Sequence, residues 1–120
     1  MRASLLATAF LAAFSLHAAA ALPIVSEVGF QPFVAQARRL IEATDYLGTP
    51  FSPADKAALD AAMNSTDAKA AVVKLQETLD RYALFGVHIN PEMRVKVAQG
   101  AAEPVLTQDG WRQFLVKVAN

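Results

Sequence analysis

The stretch Tyr82–Asn120, YALFGVHINPEMRVKVAQGAAEPVLTQDGWRQFLVKVAN, decides the fold, because here a three- and four-residue apolar rhythm gives way to a two-residue one. Ala83 to Ile89 is apolar and rich in strand formers, and Asn90-Pro91 stops it. Met93, Val95 and Val97 then alternate with Arg94 and Lys96, the pattern of a strand with one buried face. A weaker run at Val105–Thr107 precedes Asp109-Gly110, a strong hairpin dipeptide. Trp111 to Val118 alternates again, with Phe114, Val116 and Val118 on one side and Lys117 on the other. The spacing predicts strands at about 84–89, 93–98, 104–107 and 111–118, joined as a three- to four-stranded antiparallel β-meander. Its valines are expected to face a core and its basic residues to face water.

Upstream the pattern is helical. Leu22 to Gln31 reads as an irregular lead-in with Ile24, Val28 and Phe30 as its buried candidates. A helix over about 32–47 follows, opened by Pro32 and striped with Phe33, Val34, Ala37, Leu40, Ile41 and Leu47. Gly48 supplies a left-handed cap and Pro50 a breaker. Ser52-Pro53-Ala54-Asp55 starts a second helix, about 53–63, with Ser52 as cap and Asp55 near the positive end of the helix dipole. Asn64-Ser65-Thr66 ends it; the triplet matches a glycosylation acceptor, but a boundary turn already calls for such residues. The third helix, about 67–82, carries Val72, Leu75, Leu79 and Tyr82 on one face. The short turn between the second and third makes them a helical hairpin. The expected fold class is therefore α+β, with the helices covering the apolar face of a sheet that is incomplete at its last strand.

Residues 1–21, MRASLLATAFLAAFSLHAAAA, have the form of a signal peptide. Arg2 is the positive start, Leu5 to Leu16 the apolar stretch, and Ala19-Ala20-Ala21 the cleavage site, with cleavage after Ala21 or Ala20. The apolar stretch is shorter than the roughly 20 residues of a membrane span. The expectation is an exported protein, periplasmic or extracellular, with no integral membrane span after cleavage and a single module over 22–120. With no cysteine the chain cannot hold disulfides or thiolate metal sites. Eleven basic residues balance eleven acidic ones. That balance argues against a nucleic-acid partner, which calls for a basic excess.

Catalytic machinery is hard to assemble from what remains. His88 is the sole histidine beyond the signal peptide, and it stands in no zinc-binding spacing and near no nucleophile elbow. Glu42/Asp45 and Glu77/Asp80 are spaced like ordinary helix-surface charges, with Arg38, Arg39 and Arg81 in reach. The reading is a non-enzyme without cofactor. One pattern points to binding: His88, Arg94, Lys96, Arg112 and Lys117 fall in the strand runs and would make a basic stripe, a possible face for an anionic glycan or surface. Trp111 reads as a core residue or, less simply, a sugar-stacking platform. The strand at Phe114–Asn120 ends without edge protection, so a protein partner, or a further part of a longer chain, is expected to pair along 114–120.

The segment LDRYALFGVHINPEMRVKVAQG, followed by GWRQFLVKVAN and preceded by SPADKAALDAAM and AAVVKLQETLD, resembles the N-terminal region of large exported bacterial proteins. Some of these continue into a metal-dependent hydrolase domain of the polymerase-and-histidinol-phosphatase type. The resemblance implies a non-catalytic N-terminal interaction or assembly module, or an accessory part of such a hydrolase. No position here matches a metal-binding motif, so no functional residue is carried over.

Overall fold

A computed structural model describes residues 21–120, so the expected signal peptide lies outside the described residues save for Ala21. Three helices, α1 (Phe30–Tyr46), α2 (Pro53–Met63) and α3 (Ala68–Asp80), precede three strands, β1 (Ala83–Ile89), β2 (Val95–Gln99) and β3 (Leu115–Ala119). The chain is α+β.

The helix boundaries follow local chemistry. Past the end of α1, Gly48 takes φ +75°, its N–H bonds Asp45 O, and the Thr49 N–H reaches Thr44 O. These are the paired bonds of a Schellman cap, where a side chain on a left-handed residue would be strained. Ser52 Oγ accepts from the Asp55 N–H, and Asp67 caps α3 by accepting from the Lys69 and Ala70 N–H groups. Asn64 is the cap residue at the end of α2.

The helices pack on one another. Val34 and Ala37 of α1, Leu59, Ala62 and Met63 of α2, Leu75 of α3 and Phe51 from the intervening loop form the core, with Leu59 and Leu75 fully buried. Leu115 of β3 is the strand residue packed against this cluster, and Ala83 is buried at the base of β1. The sheet therefore stands beside the helical core rather than beneath it. The expected helical cover over the sheet does not form, because the three apolar helix faces satisfy one another first.

The sheet is mixed, in the order β2-β1-β3. β1 pairs antiparallel with β2, Val87 opposite Val97 and Ile89 opposite Val95, and parallel with β3, Val87 opposite Val118. This corrects the expected antiparallel meander. Residues 104–107 form no strand, and Asp109-Gly110 makes an isolated turn, with Asp109 at φ +56°, rather than a hairpin. The physical reason is the length of the connection between β2 and β3. Fifteen residues, 100–114, lie between their ends, enough to carry the chain past β1 so that β3 pairs on its far side, where its direction is parallel to β1. An Asp-Gly dipeptide specifies a hairpin only where both flanking runs can reach each other.

The facing of the strands is also the reverse of the expectation. An irregularity at Leu84, between Ala83 and Phe85, resets the phase of β1. Phe85, Val95, Val97, Val116 and Val118 are exposed, and Lys117 is turned inward. The inward face is covered by the lead-in. Leu22 is 5% exposed and lies against Gly86, where an added Cβ would come within 2.6 Å of its Cδ2. Val25 and Gln76 exchange two bonds, 2.9 Å from the Val25 N–H to Gln76 Oε1 and 2.8 Å from Gln76 Nε2 to Val25 O. Leu22 and not Ile24 is thus the anchor of the lead-in; Ile24 is exposed.

Candidate functional site: the open edge of β3

β3 closes one side of the sheet, and its outer edge has no neighbouring strand among the described residues. A groove of about 640 Å³ runs along that edge. Six consecutive residues of the chain, 115–120, line it. A groove touched by every residue of a strand, not by alternate ones, lies along the backbone edge and not on one face. Its far wall is mainly apolar, from Phe33 and Leu40 on α1, Leu79 on α3, and Val25 and Val28 of the lead-in, with Glu27, Gln36, Gln76 and Asp80 as its polar members.

Lys117 fixes this edge in place. Its Nζ lies 2.8 Å from Asp80 Oδ2 and 2.9 Å from Pro23 O, so one ammonium joins β3, α3 and the lead-in. Both side chains of the ion pair are less than a fifth exposed. A lysine on an edge strand ordinarily discourages pairing by projecting into water. Here it is drawn inward, and the residues that project outward from β3 are Val116 and Val118. Among the described residues no side chain projects from β3 to discourage pairing along this edge.

Of the five basic residues predicted as a stripe, His88, Lys96 and Lys117 line one depression on the inward face of the sheet, and Arg94 and Arg112 lie apart from it. His88 and Lys96 are opposite each other on β1 and β2, on the same face as Lys117, whose charge Asp80 compensates. Arg94 lies in the β1–β2 turn, where its Nε is 3.3 Å from Glu92 and its N–H bonds Asn90 Oδ1 at 2.7 Å. Arg112 precedes β3 and stacks over the Phe114 ring at 5.4 Å. Arg94 and Arg112 are therefore outside the strands. Trp111 is 95% exposed, beside a second depression of about 370 Å³ that Phe51, Tyr82 and Phe114 also line. It is not a core residue.

Glu77 pairs with Lys74 at helical spacing, but three other acids on the helices have partners that helical spacing did not indicate. Asp45 pairs with Lys56, Asp80 with Lys117, and Arg81 Nη2 reaches Asp55 Oδ1 at 2.6 Å. Asp55 Oδ2 also accepts from the Tyr82 hydroxyl at 2.5 Å. Tyr82 and Ser52 as donors, with Arg81 adding its charge, hold the Asp55 carboxyl below its ordinary 3.8, against the opposing pull of burial. This cluster joins helices; all its groups are engaged with each other. Among the described residues no three histidine, cysteine or acidic groups are placed to share a metal ion, and no helix is long and apolar enough to cross a membrane.

Set against protein-family models, curated proteins and solved structures, the chain matches none.

Proposed function

We propose that the chain is a non-catalytic interaction module of an exported protein, and that it takes a partner's extended segment along the edge of β3. The observation that carries this reading is the groove lined by residues 115–120 with a mainly apolar wall behind it. An added strand satisfies the free backbone groups of β3, and every second side chain enters the groove. Phe33, Leu40 and Leu79 would receive those side chains, which selects an alternating aliphatic segment. Lys117 is already held by Asp80, so the segment needs no acidic residue opposite it. Such a segment fits either a separate protein or a further part of a longer chain, in keeping with an assembly role.

The test is a set of synthetic nine-residue peptides in which valine and threonine alternate, each matched to a version interrupted by proline. Binding is followed by fluorescence anisotropy and by amide chemical shifts of the labelled protein. The alternating peptides are expected to bind, to shift the β3 amides, and to lose binding with proline, which cannot donate to the ladder. Binding without β3 shifts, or no binding by any alternating peptide, would overturn the reading.

A further inference from the structure

The outward face of the sheet is a second surface, which adjoins the β3 edge at Val116 and Val118. Residues paired across strands stand on the same face, so the registers define its membership. Phe85, Val87 and Ile89 alternate onto it from β1; Val97 and Val95 join them from β2, and Val116 and Val118 from β3. Gln99, opposite Phe85, is the one polar side chain of the plate, and no charged residue belongs to it. Val116 is the least exposed of its four β2 and β3 valines, yet is 52% exposed. Together with Phe85 they present an apolar patch on the order of 400–500 Å², within the range of the largest patch on a monomeric soluble protein, which is often functional.

We infer that this plate is a self-association surface whose occupant is a second copy of the chain, packed face to face. Area sets both the possibility and the limit. Two such plates bury roughly 900 Å² in total, above most incidental contacts and below the roughly 1,200–2,000 Å² of a stable interface. The assembly is a reversible, concentration-dependent dimer. A copy is compatible with the plate because an uncharged patch meets itself with no like charges brought together. A two-fold axis places the same patch against itself, and two twisted sheets pack in this way about 10 Å apart with strands about 30° off parallel. The opposite face cannot serve, since Leu22 already lies on Gly86.

Sedimentation equilibrium of the full-length chain, from about 10 µM to about 1 mM, spans the range expected for so small an interface. The weight-average mass of the wild type is expected to rise towards twice the monomer mass. Val95→Lys combined with Val97→Lys places like charges on both facing plates and should weaken association about tenfold or more. The nearly isosteric Val95→Thr, Val97→Thr pair should weaken it in the same direction and decides the matter if the lysine variant fails to fold. Both positions are on β2, away from the groove, so peptide binding at β3 tests the interaction-module reading separately. A wild type that stays monomeric throughout overturns the inference. So does association of undiminished strength in folded variants, which would place the contact elsewhere. Plate-dependent binding to phosphatidylglycerol vesicles by a protein that never dimerises would assign the plate to a lipid surface instead.

Discussion

Tyr82 donates its hydroxyl proton to Asp55 across 2.5 Å, and the same oxygen accepts from the Ser52 N–H at 3.1 Å. In an ordinary capping box the acid three residues after the cap would bond the cap's own N–H directly. Here the Tyr82 hydroxyl is inserted into that link. The start of α2 is thereby tied to the residue that connects α3 to β1, and the sheet is set against the helices by the same side chain that packs edge-on to Phe51, with ring centres 4.7 Å apart.

Tyr82→Phe should keep the ring packing and lose the relay. The Ser52 N–H loses this bond and Asp55 loses its shortest donor. A loss of about 1–2 kcal/mol is expected, since a hydrogen bond to a charged group is removed while part of the site remains open to water. Urea unfolding with an unchanged slope checks it.

The same cluster predicts a pH dependence. The folded-state carboxyl of Asp55 lies below its ordinary 3.8. Its contribution is therefore complete above the unfolded-state value and is lost as pH falls through the lower, folded one. Wild type should exceed Asp55→Asn in thermal stability near neutral pH. The gap should close in acid, below the ordinary carboxyl range. A gap that widens in acid would show the sign to be wrong.

Lys117 and Asp80 offer a double-mutant test. Lys117→Met leaves Asp80, 15% exposed, without its counter-charge and frees the Pro23 carbonyl. A cost of about 2–3 kcal/mol is expected, less than for a wholly buried pair because solvent still reaches both groups. Adding Asp80→Asn should recover part of it. Simple additivity in the double variant would show that the pair is not coupled. Hydrogen exchange at the Val25 amide reports whether the lead-in loosens.

Two glycines should respond differently to alanine. At Gly100 an added Cβ would stand 2.0 Å from the backbone oxygen of Ala83, which cannot move without disturbing β1. At Gly86 the obstacle is the end of the Leu22 side chain. Gly100→Ala should cost about 3 kcal/mol or more, and Gly86→Ala less, by displacing Leu22. Thermal unfolding of both variants ranks them.

The sequence by itself determined the helices, because their ends are written in neighbouring residues: Gly48 for a left-handed cap and Ser52 for a side-chain cap. It also determined that strands follow Tyr82, since alternation needs no more than the chain's own period. It did not determine which side of those strands would be covered. Period-two alternation says that two faces differ, not which one meets a partner. The cover came from Leu22, 64 positions before Gly86, and Lys117 was drawn inward by a carboxylate 37 positions away. Tertiary structure likewise chose the parallel pairing of β3, because the fifteen residues after β2 let the chain pass β1 before it paired. The open edge at 115–119 was legible as an unprotected strand. Its groove was not, since Phe33, Leu40 and Leu79 meet β3 only once the helices have packed.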